Sequence, residues 1–324
     1  MYMLKKWTTA SVFLFCLALF LSACGSSSSE ENSDTGESEQ TEESSSDTRT
    51  VTAENGEVEI PADPERVIAL QFAGDLLALG IEPIGVDSTI KNNSEQLGEE
   101  LADAEDVGDP SVEKVLEMEP DLIVAPTYLD ENVISQLEQI APTVTAPWAE
   151  MDAKEEVAYF GEMLGREEEA DEWIASYEQQ AEDAQEQISG IIESGETVGV
   201  YELSAKEIYV HTTPGRGSYN LYETLDLPAP DLVQEEVLDP GEQFAALSLE
   251  ALPDYAADHM FVTVYEEGGV EEAEQLMESS IWKSLPAYKN DQIYMVPLEK
   301  FWFNDGVSLE RQLDIQVEEL TSGD

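Results

Sequence analysis

VEKVLEMEPDLIVAPTY, residues 112–128, carries Glu113, then Asp121 eight residues later and, beyond an apolar run, Tyr128 seven residues further on. LEALPDYAADHMFVTVY, residues 249–265, repeats both spacings with Glu250, Asp258 and Tyr265. In each copy the pattern predicts a helix bearing the glutamate, a buried strand, and a tyrosine at the strand's C-terminal end. That end is where open α/β sheets bind ligands. A unit that occurs twice implies a fold built from two related halves.

The surroundings extend the pairing. LLALGIEP (76–83) matches LYETLDLP (221–228), each read as a helix end stopped by proline. Strand-like Val67–Leu70, a helical Gly74–Leu79, Pro83–Val86, Leu122–Ala125 and Thr143–Ala146 alternate in the first half. Val198–Leu203, Ile208–His211, Phe261–Tyr265 and Ile293–Val296 resume the pattern in the second. From Asp152 to Ile192 the period changes to that of a long charged helix or helix pair, with Val157, Phe160, Leu164, Ile174 and Tyr177 apolar and Gly161 and Gly165 as interruptions. The expected fold is α/β: two lobes with mostly parallel sheets (50–151 and 193–324), joined by a long connecting helix region (152–192), with a ligand cleft between the lobes. Thr50–Ile60 reads as an entry hairpin turning at Asn55-Gly56, a pair that supplies the positive φ of a tight turn.

Ahead of this core, Lys5 and Lys6 precede an apolar run from Trp7 to Leu21, short for a membrane span and typical of a secretory signal. The run ends in Leu21-Ser22-Ala23-Cys24, which resembles a lipobox: residues 1–23 are expected to be removed and Cys24 lipidated, placing the chain on the extracytoplasmic face of the cell membrane. Residues 24–49, nearly all Ser, Glu, Thr, Asp and Gly after the cysteine, cannot bury enough apolar surface to fold and read as a tether. About 25 flexible residues reach on the order of 30 Å. Both cysteines, Cys16 and Cys24, belong to the leader, so the folded part is expected to hold no disulfide and no thiolate chemistry. The net charge of −58 disfavours nucleic acid as a partner and fits a saline or alkaline exterior.

Catalytic provision is thin. Beyond the leader stand two histidines, His211 and His259, without zinc-like spacing, and none of the 72 acids is singled out by its neighbours. A secreted metal-dependent hydrolase is therefore the weaker reading, and a bare metal ion is not expected as cofactor. Binding residues are easier to name. Arg216, in Pro214-Gly215-Arg216-Gly217-Ser218 before a helical start at Tyr219, is placed to donate to ligand oxygens, or else is a turn arginine paired with a local acid. Trp148 ends a predicted strand and Phe301-Trp302-Phe303 follows another; three consecutive rings cannot all face one side, so at least one of them is expected at a ligand or at the other lobe. With Tyr128, Tyr219 and Tyr265, the residues Trp148, Trp302 and Phe303 form the expected aromatic wall.

PERVIAL (64–70), VEKVL (112–116) with EPDLIV (119–124), and LSLEAL (247–252) together resemble the iron-siderophore substrate-binding family of ABC importers, over about Thr50 to Leu320. That resemblance implies a monomer that binds a ferric siderophore, with iron carried only inside the chelate, and hands it to the permease subunits of an importer. It also implies that Glu113 and Glu250 dock into the permease. GRGSY (215–219) and the stretch from Phe303-Asn304-Asp305 to Leu309–Asp314 look most like ferric hydroxamate binders, and a near-neutral chelate suits so acidic a chain better than a trianionic catecholate. Cobalamin or haem capture is the alternative the same fold would permit. The lipobox and acidic tether fit a Gram-positive surface.

Overall fold

The chain enters the fold through an antiparallel hairpin of β1 (Thr48–Ala53) and β2 (Gly56–Pro61). The computed structural model describes residues 48–205, 207–212, 215–265 and 269–322, and Ser45–Asp324 forms one compact unit. The leader, Cys24 and the tether to residue 47 lie outside the described residues. Pairing already starts at Thr48, so the last two tether positions belong to a strand. Ala53 pairs with Gly56, which makes Glu54 and Asn55 the turn residues, one position earlier than expected. The reason is the Asn55 side chain. Its Nδ2 donates to the Thr143 carbonyl at 2.9 Å and its Oδ1 accepts from Thr145 N at 3.1 Å, which splices the hairpin onto the neighbouring sheet.

In the first half, β3 (Val67–Ala69), α1 (Ala73–Ala78), β4 (Gly85–Val86), α2 (Ser88–Asn93), β5 (Glu105–Asp106), α3 (Val112–Glu117), β6 (Leu122–Pro126), α4 (Glu131–Leu137) and β7 (Thr143–Ala146) alternate. The sheet order is β5-β4-β3-β6-β7, parallel throughout. Its three-strand centre, β4-β3-β6, is buried along its whole length, as expected of a parallel sheet covered on both faces.

Two helices follow. Asp152 caps α5 (Ala153–Leu164) in a reciprocal box with Glu155, and Gly165, at φ 69°, ends it in the left-handed conformation. A short step leads to α6 (Glu167–Ile188), whose first turn holds Glu167, Glu168 and Glu169 where the helix dipole favours anions. At 22 residues α6 is roughly 33 Å long, enough to cross a small domain. Gly161 has a packing reason: a Cβ there would lie 2.6 Å from the Ala170 Cβ, so its absence lets α5 and α6 approach.

The second half runs β8 (Val198–Ser204), β9 (Glu207–His211), α7 (Asp231–Val233), β10 (Phe244–Leu247), α8 (Leu252–Tyr255), β11 (His259–Val264), α9 (Val270–Met277), α10 (Pro286–Lys289) and β12 (Ile293–Met295). The order β10-β9-β8-β11-β12 mirrors the first sheet, with β6 and β11 in equivalent positions, so the sequence repeat is a structural one. Here β8, β11 and β12 are parallel, whereas β9 and β10 run antiparallel. The second glutamate also departs from expectation. Glu250 lies in a turn before α8 rather than on a helix, since Pro253 stands at the start of that helix. Ser111 and Ser248 nonetheless play the same part, each accepting with its hydroxyl the backbone N–H three residues on.

The chain closes with α11 (Gly306–Thr321), capped by Asp305. Although the sequence places it in the second lobe, α11 packs on α6 and on α1: Gln180 Nε2 donates to Asp314 Oδ1 at 2.8 Å, and Gly306 N donates to Asp75 Oδ1 at 2.9 Å. Arg311 pairs with Glu100 and Lys300 with Glu95, both across the two halves. One apolar core consequently runs from Leu76 and Leu122 through Phe160 and Trp173 to Leu309, Val198 and Phe261. The halves are joined by a helical layer, not by the connecting helix alone.

Candidate functional site

A cleft of about 590 Å³ opens between the two sheets, lined by both halves and by α1, α5 and the start of α11. From the first half, Tyr128 follows β6 and Trp148 follows β7. They meet edge to face at 5.3 Å, a favourable arrangement for two rings, and each is about half exposed, at 54% and 48%. Gln71 and Phe72, after β3, complete this wall. Phe72 holds a left-handed φ of 62°, a conformation non-glycine residues seldom adopt outside constrained sites.

The opposing wall comes from the Phe-Trp-Phe run. Phe301 is fully buried, while Trp302 and Phe303 line the cleft, so the run divides between core and site. Tyr265 does not line the cleft; its ring lies 6.1 Å from that of Trp302, tilted by 34°. Tyr219 lines the cleft with little of its surface exposed, and Phe244 stands half-exposed beside His211, their rings 5.9 Å apart.

Arg216 is neither free nor an ordinary turn arginine. Its Nε donates to Glu202 Oε2 at 2.6 Å, its Nη1 to the Trp302 carbonyl at 3.2 Å, and its guanidinium carbon sits 4.5 Å from the Trp302 ring centroid. Three of its five N–H groups have no partner among the described residues. Backbone conformation sets this up. Arg216 and Gly217 both have positive φ, 55° and 80°, and a Cβ on Gly217 would lie 2.7 Å from the Phe301 ring. The loop is held from below by a buried polar chain: Tyr177 Oη donates to Asn220 Oδ1, Asn220 Nδ2 to Gln316 Oε1, and Gln316 Nε2 to the Gly217 carbonyl. His211 lies 3.8 Å from Glu202, and its Nε2 is buried without a partner. Burial first, and then the Arg216 charge, bring its pKa down to about 3, so the ring is neutral.

At the base of the cleft three carboxyls converge. Asp75 on α1 and Asp305 at the start of α11 are buried, and Glu156 on α5 is partly buried. A Cβ on Gly74 would lie 1.6 Å from Asp305 Oδ1, so glycine is what lets this carboxyl press against α1. Asp305 accepts from Ser308 N and Oγ, and Asp75 Oδ1 from Gly306 N; Asp75 Oδ2 and the neighbouring Asn304 Oδ1 are buried with no partner. Desolvation, followed by the charges of Glu156 and Asp305, raises Asp75 far above the carboxylate range, and Glu156 is pushed up to about 8 by desolvation, then by Asp305 and Asp152. Asp305 is raised too, chiefly by burial.

Sequence reasoning missed Asp75, Glu156, His211, Phe244 and Asn304. A signal existed for Asp75: it stands four residues before Leu79 and three after Phe72, so a helical period places it on the buried face. Glu113 and Glu250 are far from this chemistry in character, both exposed at the surface after equivalent serines. Among the described residues no group of three or more His, Cys, Asp or Glu is arranged to hold a metal ion, and no helix is long and apolar enough to cross a membrane.

A periplasmic binding protein family model matches residues 67–299. The iron(3+)-hydroxamate-binding protein YxeB of Bacillus subtilis (strain 168) is 36% identical over 317 residues, covering 96% of each chain. The iron(3+)-hydroxamate-binding protein FhuD of the same organism is 34% identical over 316 residues, covering 96% of this chain and 97% of that one. Among solved structures, a FhuD fold-family protein from Bacillus subtilis, a periplasmic binding protein component of a Fep/Fec-like ferrichrome ABC transporter, matches with a TM-score of 0.75 at 34% identity, covering 84% of this chain and 99% of that chain.

Proposed function

The chain belongs to the periplasmic binding protein family, and we propose that it captures a ferric hydroxamate outside the cell and delivers it to an ABC importer. The observation that carries this reading is the state of the Arg216 guanidinium in the cleft. Arg216 is placed to donate to chelate oxygens, yet its charge is already balanced by Glu202. Three hydroxamates neutralise Fe³⁺, so a neutral iron centre needs hydrogen-bond donors and apolar walls rather than surplus positive charge. Tyr128, Trp148, Trp302 and Phe303 supply the walls. A tricatecholate keeps three negative charges and would meet a chain of net charge −58 with no unpaired cation among the described residues lining its cleft. Iron is cargo, its coordination shell filled by the chelator, and the protein has no reaction to catalyse.

The rest of the assignment follows from position. Glu113 and Glu250, exposed at equivalent places on related halves, suit a contact with two permease subunits by one monomer. Cys24 is the lipid attachment, with the tether holding the binding unit at the membrane. A haem reading stands second, because His211 lines the cleft with Nε2 unpartnered and a neutral ring is a metal ligand.

Uptake of radioactive iron as a ferric trihydroxamate tests the proposal in cells lacking the gene. Re-expression should restore uptake, and a Glu113→Lys/Glu250→Lys chain should bind the chelate as tightly as before and yet fail to restore it. Uptake from haem or a tricatecholate in place of the hydroxamate would overturn the assignment; a parallel loss of binding in the double variant would overturn the docking role.

A further inference from the structure

We propose that the base of the cleft, formed by Asp75, Glu156, Asp305 and Asn304, is a subsite for a cationic substituent of the chelate, an alkylammonium carried by an otherwise neutral ferric hydroxamate. The inference rests on the hydroxamate reading and specifies which members of that class the protein prefers.

Two buried acceptors at the floor have no donor among the described residues. Asp75 is 1% exposed, and only one of its two oxygens is used, by Gly306 N; Oδ2 is buried with nothing to accept from. Asn304 Oδ1 is in the same condition. Leaving such groups unsatisfied costs more than a made hydrogen bond returns, so two of them at one place in a ligand cleft call for a donor from outside the chain. Glu156 lines the same space, with no hydrogen bond to its carboxyl among the described residues. Structural capping accounts for Asp305 and for Asp75 Oδ1. It leaves Asp75 Oδ2, Asn304 Oδ1 and the Glu156 carboxyl without a task.

The charge balance points the same way. The cleft's cation is committed to Glu202, and Arg311, the basic residue acting on Asp305, is paired with Glu100. Three carboxyls therefore meet without an uncommitted counter-charge among the described residues; burial and mutual repulsion raise all three, and Asp75 and Glu156 far enough to favour their protonated forms in the empty cleft. An alkylammonium has three N–H donors and one positive charge, which matches the three idle acceptors. On binding it remains protonated, a floor carboxyl ionises against it, and that carboxyl's proton leaves to solvent. A bare metal ion is a poorer occupant, because these acids are not arranged as a metal-holding group.

The test compares a linear ferric trihydroxamate ending in a free primary amine with the same chelate N-acetylated, which removes the charge and two N–H donors and adds one acetyl group. The wild-type chain should bind the amine form at least about tenfold more tightly, the factor for one charge-assisted hydrogen bond. Calorimetry near neutral pH, in buffers of different ionisation enthalpy, should show the amine form releasing up to about one proton more than the acetylated form. In Glu156→Gln the preference should shrink to within about threefold. Equal affinities with equal proton counts in wild type, or tighter binding of the acetylated form, would overturn the subsite while leaving the hydroxamate reading intact. Failure of both chelates to bind would overturn both. Because the proton count is taken on the wild-type chain, the test does not depend on the variant folding.

Discussion

Arg216 and Glu202 stand or fall together. Both are largely buried, so truncating one leaves an uncompensated charge, which is costlier than losing the pair's attraction. Arg216→Ala should weaken ferric hydroxamate binding and lower stability by about 2 kcal/mol, whereas the double change Arg216→Ala/Glu202→Gln should recover most of the stability and none of the affinity. Denaturant unfolding of the set checks this; additive losses would show that the two side chains are not coupled. Glu156 gives a second test. Its pKa is pushed up to about 8, so folding favours the protonated form; that stabilisation is complete below the ordinary carboxylate range and is lost as pH rises towards about 8. Relative to wild type, Glu156→Gln should gain about 1 to 2 kcal/mol on going from about pH 5 to about pH 8.5, and a difference independent of pH would mean that the carboxyl is solvated. Arg216 was legible because arginine is scarce in this chain and sits between glycines. The floor acids were not, since 72 acids hide three, and what separates Asp75 from a surface aspartate is the approach of α11 from the far end of the sequence.

Among the elements, the repeated strands β6 and β11 were readable because a buried parallel strand is a continuous apolar run, and its flanking Glu, Asp and Tyr kept their spacing. The aspartates show why. Asp121 accepts from Glu65 N and Arg66 N, and Asp258 accepts from Thr197 N, so each ties its strand to the start of the preceding neighbour in the sheet. The antiparallel β9 and β10 carried weaker signals: β10 is mostly exposed, and its pairing with β9 links positions far apart in sequence. The turn at Glu54-Asn55 was misplaced because local turn preference competes with a tertiary bond to β7 that no local reading contains. Helix contact offers an element-level prediction. Gly161→Val should force α5 from α6 and cost about 2 to 3 kcal/mol, the range for overpacking a tight contact. Thermal or denaturant unfolding reads this directly, and a neutral outcome would mean that the two helices are not closely apposed.

For the whole molecule, the continuous core from α1 through α6 and α11 to β8 opposes a wide hinge motion. Small-angle scattering of the chain from Ser45 onward should show the radius of gyration changing by less than about 1 Å on ligand binding; a contraction of several ångströms would indicate hinge closure of the kind other binding proteins use. A rigid two-lobed body also suits the docking proposed for Glu113 and Glu250, because their separation then stays constant between empty and loaded states. The two-lobed plan was legible from the repeat, but the role of α11 in joining the lobes was not, since nothing in its own period says which helix it packs on. The central claim is that this cleft binds a ferric hydroxamate between Trp148 and Trp302. It is tested most directly by titrating tryptophan fluorescence of the chain from Ser45 onward with a ferric trihydroxamate, a ferric tricatecholate, cobalamin and haem. The account predicts saturable quenching by the hydroxamate at submicromolar concentration, much reduced in Trp302→Phe, and weak or no response to the others. Absence of saturable quenching by the hydroxamate, or tighter binding of any of the other three, would contradict it.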